Sequence, residues 1–126
     1  MGYDRKYLVW ALAYVAIGMS VGVYMGASQN HVQHVSHAHI LLVGTVISFI
    51  YGIIHKLWLD QPGKGISRLQ FGLHQTASIV MFAGLLLFYG NVFPEPVVGP
   101  VLGIASMGVL AAALLMIYMV AKPGKR

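Results

Sequence analysis

Apolar residues fill four long stretches of the chain, at about Tyr7–Ala27, His37–Trp58, Leu69–Gly90 and Val97–Ala121. Each is close to the ~20 residues that a helix needs to cross ~30 Å of hydrocarbon. The stretches do not alternate with period two, and four strands are far too few to close a barrel. Helices are the remaining solution, because lipid offers no partner for exposed backbone N–H and C=O groups. Turn chemistry marks the breaks. Gln61-Pro62-Gly63-Lys64-Gly65 separates the second and third stretches, and Gly90-Asn91 with Pro94, Pro96 and Pro100 separates the third and fourth. The first break, Ser28-Gln29-Asn30-His31, is polar and lacks proline. The pattern predicts an all-α membrane protein, with residues 1–126 forming a single domain of four transmembrane helices.

Composition agrees with lipid as the solvent. Only 9% of residues are charged, against about 25% in an ordinary soluble domain. The chain has no cysteine, which excludes disulfides, thiolate clusters and thioether-attached haem. Eight Lys and Arg against three Asp and Glu leave a formal charge of +5. All eight flank apolar stretches rather than forming a patch, so nucleic acid is not the expected partner. Arg5 and Lys6 precede the first span; Lys56, Lys64 and Arg68 lie between the second and third; Lys122, Lys125 and Arg126 follow the fourth. With both termini inside, every basic residue is inside and none is outside, as the positive-inside rule requires. The first span has the basic start and small Gly26-Ala27 pair of a signal peptide, but Met25 is a poor residue before a cleavage site. It is therefore read as a helix.

Small residues recur every four positions: Gly18, Gly22 and Gly26; Gly44, Ser48 and Gly52; Gly99 and Gly103. Such stripes let helix backbones approach closely, within a bundle or between subunits.

The six histidines carry the candidate chemistry. An ionisable side chain inside a membrane is costly and marks function by default. His31, His34, His37 and His39 crowd the outer end of the second span. Two positions apart on a helix, at about 100° per residue, His37 and His39 diverge by roughly 200°. They cannot chelate one ion together, but one helix can serve a site on each flank. His31, His34 and His37 follow i, i+3 spacing and share a face if the helix begins early, an arrangement suited to copper or zinc. Interfacial loop histidines are the plain alternative for His31 and His34. His74 stands beside Gln75 and Thr76 in the third span, at the depth of about Tyr51 or Gly52 in the second. It is a hydrogen-bonded packing residue or a ligand at a deeper, second site. His55, beside Lys56, Trp58 and Asp60, reads as an interfacial anchor.

The run His37-Ala38-His39-Ile40-Leu41-Leu42-Val43-Gly44 resembles the H-x-H…G motif of a ligand-bearing helix in haem–copper oxidase and nitric oxide reductase catalytic subunits. There the two histidines face opposite ways, one to each of two haems. The surrounding chain is similar to small four-helix proteins of the cytochrome oxidase subunit I-like class. The run Gly18-Met19-Ser20-Val21-Gly22-Val23-Tyr24-Met25-Gly26-Ala27-Ser28 and the site Leu73-His74-Gln75 fit that likeness. The large family subunit has twelve helices in three arcs of four, so the resemblance implies a homotrimer whose protomers replace the arcs. It further implies a b-type haem at each subunit interface, held by His37 of one protomer and His39 of its neighbour. The departures are equally specific. No Lys, Asp or Glu lies within a span, there is no adjacent histidine pair for the family's usual copper site, and no outer arginine pair for haem propionates.

The expected protein is thus an N-in/C-in, multi-pass haem b protein of a bacterial inner membrane, trimeric, transferring electrons with a partner the sequence does not identify or interacting with O2 or NO. Cofactor-binding candidates are His37, His39 and His74; metal candidates are His37, His39, His34 and His31. An enzymatic reaction is not assigned. The alternatives are a non-haem copper- or zinc-binding protein for metal delivery, and a structural subunit without metal. Topology is checked first: a reporter active only in the periplasm is expected to be silent at the C-terminus and active after Asn91. The reverse pattern overturns the orientation and the outer placement of His31 to His39.

Overall fold

The computed structural model describes residues 1–122, and these form helices joined by short turns. Residues 123–126, including the Lys125 and Arg126 used to orient the chain, lie outside the described residues. Four long helices cover the rest: α1 (Tyr3–Ser28), α2 (His34–Leu57), α3 (Lys64–Tyr89) and α4 (Glu95–Ala121). All four are long and apolar enough to cross a membrane, so the chain is an all-helical, multi-pass membrane protein. Each helix starts earlier than its apolar stretch. Polar first turns such as Tyr3-Asp4-Arg5-Lys6 and Lys64-Gly65-Ile66-Ser67-Arg68 continue the helical hydrogen bonding beyond the point where apolarity ends. At the other end of α1, Gln29 takes a left-handed conformation (φ 56°) and its Nε2 donates to the Gly26 carbonyl at 2.7 Å, satisfying a terminal acceptor.

Burial follows the helical period in three of the helices. In α1 the buried residues are Tyr7, Ala11, Tyr14, Gly18 and Met25, alternating steps of three and four with wider gaps. In α4, Val98, Ala105, Ala112 and Met119 repeat every seven residues, the spacing of a coiled-coil seam. The opposite face of α4, with Ile104, Met107, Leu110, Leu114 and Ile117, is exposed and suited to lipid. Helix α2 is different. Its buried positions Ser36, Ile40, Gly44, Ser48 and Gly52 recur at four-residue intervals. On an ideal α-helix of 3.6 residues per turn, four such steps drift by about 160° around the axis. The middle of α2, Ile40–Ile47, is instead wound as a π-helix. Its i→i+5 hydrogen bonds make a wider turn, which keeps the four-residue stripe on one face.

That stripe packs against α1 in antiparallel register. Gly22 meets His37, Gly18 meets Leu41 and Ile40, Gly44 meets the Tyr14 ring, and Gly52 meets Tyr7 and the Asp4 carbonyl. Helices α3 and α4 form the second hairpin, with Gly84 against Leu102 and Gly108 against Ala77. The hairpins join through α3. Tyr14 of α1, Ile40 of α2, Met81, Phe82 and Leu85 of α3, and Ala105 of α4 make one apolar cluster. A second cluster near the other end joins Tyr7, Tyr51 and Met116, with Phe71 packed against it. Nearer the α1–α2 and α3–α4 turns, Gln33 Nε2 donates to the Leu86 carbonyl at 3.0 Å and fastens the start of α2 to the end of α3.

A Cβ on Gly44 would stand 2.7 Å from Tyr14 Cγ, whereas one on Gly103 meets nothing within 4 Å. Gly44→Ala is therefore expected to lower stability by about 1–3 kcal/mol through overpacking, and Gly103→Ala to leave it unchanged or higher. Thermal unfolding in detergent, followed by circular dichroism, compares the two variants.

Candidate functional site

The histidines around the start of α2 divide by environment. His31 and His34 are exposed at the turn that opens α2, where the His31 carbonyl accepts from the His34 backbone N–H at 3.2 Å and meets His34 Nδ1 at 3.0 Å. His31 precedes the helix rather than sharing its face. Among the described residues no three His, Cys, Asp or Glu side chains converge to hold a metal ion, so His31, His34 and His37 are not gathered into a common ligand set.

His37 and His39 are held differently. Both lie in the α-helical opening turns of α2, before the π segment begins, and both are half-buried. At about 100° per residue they stand at opposite edges of the buried Ser36–Ile40 face. His37 Nδ1 bonds the Gly18 carbonyl of α1 at 2.8 Å, and His39 Nδ1 bonds the Val35 carbonyl of its own helix at 2.9 Å. A carbonyl can only accept, so Nδ1 carries a ring proton in both residues, and in the neutral imidazole the lone pair is then on Nε2. This arrangement orients imidazole for ligation, since the bond made by one nitrogen fixes the ring and raises the basicity of the other. Gly22 makes the His37 position possible: a Cβ there would lie 2.9 Å from His37 Cε1. Gly18 and Gly22 of the α1 stripe thus serve packing within the protomer, and Gly22 makes room for a candidate ligand, whereas a Cβ on Gly26 meets nothing within 4 Å.

His74 belongs to a separate, deeper cluster. It is fully buried, bonded through Nε2 to Ser48 Oγ at 3.2 Å, with its ring edge-on to Tyr51 at 5.0 Å between centroids. That is the depth its position in the third span indicates. The same Ser48 hydroxyl receives the Gln75 amide at 3.5 Å, and Gln75 Oε1 accepts the Tyr14 hydroxyl at 2.6 Å. One turn before His74 in α3, Gln70 accepts the Tyr7 hydroxyl and donates to the Ala112 carbonyl at 3.1 Å. His74 Nδ1 has no partner among the described residues. The structure brings His74 together with Ser48, Tyr51, Tyr7 and Gln75, and not with His37 or His39. Thr76, its neighbour in sequence, faces outward. His55 stacks on Tyr3 at 5.5 Å near the basic end of the bundle.

Sequence reasoning passed over Tyr7, Tyr14, Ser48 and Gln70. Gln70 and His74 are spaced i, i+4 within an apolar stretch, as are the small residues Gly44 and Ser48. The first spacing was a usable signal, because a polar side chain in a span needs a partner on a neighbouring helix. Scans against protein-family models, curated proteins and solved structures find no match to this chain.

The network makes a stability prediction. Gln75→Leu removes the acceptor of the buried Tyr14 hydroxyl, which should cost about 1–3 kcal/mol. Thr76→Leu, one residue away on the exposed face, should cost little. Equal loss of melting temperature in the two variants contradicts this division.

Proposed function

We propose that the chain is a membrane-bound b-type haem protein of the haem–copper oxidase subunit I-like class, with His37 and His39 as axial ligands. The observation that carries this reading is the paired histidine geometry. Two imidazoles two residues apart each have Nδ1 engaged by a backbone carbonyl and Nε2 free, at opposite edges of one helix face. That donor set fits haem iron, for which neutral imidazole nitrogen is a good ligand. A bound haem supplies one-electron iron chemistry. The chain's residues hold the ligand rings, exclude water with apolar helix faces and leave no third histidine beside the pair. Two histidines holding a haem iron would favour electron transfer over chemistry on a bound substrate such as O2 or NO.

Because the two Nε2 atoms diverge, one haem is shared by two copies. His37 of one protomer and His39 of the next complete each site, and the homotrimer implied by the family resemblance closes the ring in a bacterial inner membrane with both termini inside. His74, enclosed in the Ser48–Gln75–Tyr14 network, acts in the bundle core rather than as an axial ligand.

A reduced-minus-oxidised spectrum of the purified protein tests the reading. A Soret band with sharp α and β bands is expected; a colourless protein carrying copper or zinc, or no metal, overturns it. His37→Ala and His39→Ala are each expected to abolish the six-coordinate spectrum, while His55→Ala and His74→Ala keep haem content near that of the unaltered protein. Co-expression of His37→Ala with His39→Ala should restore part of the spectrum, since some interfaces then pair an intact His37 with an intact His39. Mixed oligomers that recover no such haem overturn the shared site and place haem within one protomer, with His74 or a non-histidine group as the partner ligand.

A further inference from the structure

At the basic end of the bundle, α1 and α2 leave a cavity of about 230 Å³ between them. Arg5 and Lys56, both exposed, stand at its walls with Asp4, and the remaining lining is Leu8, Phe49, Ile53 and Gly52. At Gly52 the backbones of the two helices lie close together, since a Cβ there would lie 3.2 Å from both the Asp4 carbonyl and Tyr7 Cβ. Its missing side chain keeps the floor open. Leu8 and Phe49 remain 41% and 47% exposed in a part of the chain that faces the bilayer, so the apolar wall is continuous with lipid. The Asp4 carboxylate turns back toward its own helix start, where its Oδ1 would be 2.7 Å from a Cβ on Gly2. The neighbouring Lys6 is engaged over the Tyr3 ring, 4.5 Å from its centroid, leaving Arg5 and Lys56 as the cations of the cavity.

We propose that this cavity binds the headgroup of an anionic glycerophospholipid of the inner leaflet, with phosphate between Arg5 and Lys56 and an acyl chain along Leu8, Phe49 and Ile53. Charge complementarity chooses the occupant. Two cations at the membrane surface favour a net-negative headgroup over a zwitterionic one, as basic pockets between transmembrane helices do. The guanidinium of Arg5 matches phosphate oxygens two at a time, while Lys56 acts as a point charge. The apolar wall selects a lipid over a free anion, because an inorganic phosphate gains nothing from Leu8 and Phe49. The site involves none of His31, His34, His37, His39 or His74 and stands independently of any haem.

Native mass spectrometry of the full chain, released from detergent in equal amounts of dioleoyl-phosphatidylglycerol and dioleoyl-phosphatidylcholine, tests the site. One retained phosphatidylglycerol per protomer is expected, at least fivefold over phosphatidylcholine. Arg5→Gln and Lys56→Gln should each reduce that preference about fivefold, which corresponds to about 1 kcal/mol per basic residue near the surface. Asp4→Asn should increase it by removing a charge of the same sign as the phosphate, and Lys122→Gln, just past the end of α4, should not change it. Phe49→Ala should lower occupancy by both lipids without altering their ratio. No preference in the unaltered chain overturns the proposal, as does a preference that survives the Arg5→Gln/Lys56→Gln double variant. Displacement of the lipid by millimolar inorganic phosphate also overturns it, by showing an anion site that does not use the apolar wall.

Discussion

A four-residue repeat and a 3.6-residue helix cannot stay in phase, and the bundle is organised around that mismatch. Ser36, Ile40, Gly44, Ser48 and Gly52 are all buried although an ideal α-helix carries such a series around much of its circumference. The π-helical winding of Ile40–Ile47 removes the drift. The result is a straight seam along which α1 and α2 come within side-chain reach of each other's backbone, with Gly18, Gly22, Gly44 and Gly52 at the points of closest approach. In lipid, where apolar side chains gain nothing by leaving the solvent, such close packing is a main source of helix association.

Polar groups provide the second tie. Tyr7 with Gln70, and Tyr14 with Gln75 and Ser48, each link the first hairpin to α3, and Gln70 reaches on to the Ala112 carbonyl of α4. These bonds cross between elements distant in sequence, and they supply the directional contacts that apolar packing lacks. The polar layer ends beneath an apolar cluster of Ile40, Met81, Phe82 and Leu85. His74 lies on one side of that cluster and the His37–His39 pair on the other, so the bundle keeps two histidine environments apart.

The seam and the histidine pair are one construction. The His37 ring rests on Gly22 and donates its Nδ1 hydrogen bond to the Gly18 carbonyl, so the α1 backbone orients a side chain of α2. His39 donates the corresponding bond to the Val35 carbonyl on its own helix and needs no such neighbour. On the proposed reading, loosening the α1–α2 seam therefore disturbs the two ligands unequally. It acts on His37 through its anchor and on His39 only through the helix that both share.

The four membrane helices, their approximate limits and the divergence of His37 from His39 were legible in the sequence, because they depend on local hydrophobicity and on rotation per residue. The depth of His74 beside Tyr51 was legible for the same reason, as a count of residues from the membrane ends. Close helix approach at the glycines was legible as a repeat, but its partner was not: whether a stripe meets its own chain or a second copy depends on contacts between distant residues. The π segment left no local mark either, since Ile40–Ile47 reads as ordinary apolar helix and takes its winding from the demand that Gly44 and Ser48 face α1 and α3. Only the tertiary structure decided which atom each polar side chain found. Gln75 turns inward to Tyr14 while adjacent Thr76 turns out, and both imidazoles of the His37–His39 pair acquire a carbonyl at Nδ1. Hydrogen-bond partners are chosen by directions and distances across the bundle, and one chain's order of residues does not contain those until the helices are packed.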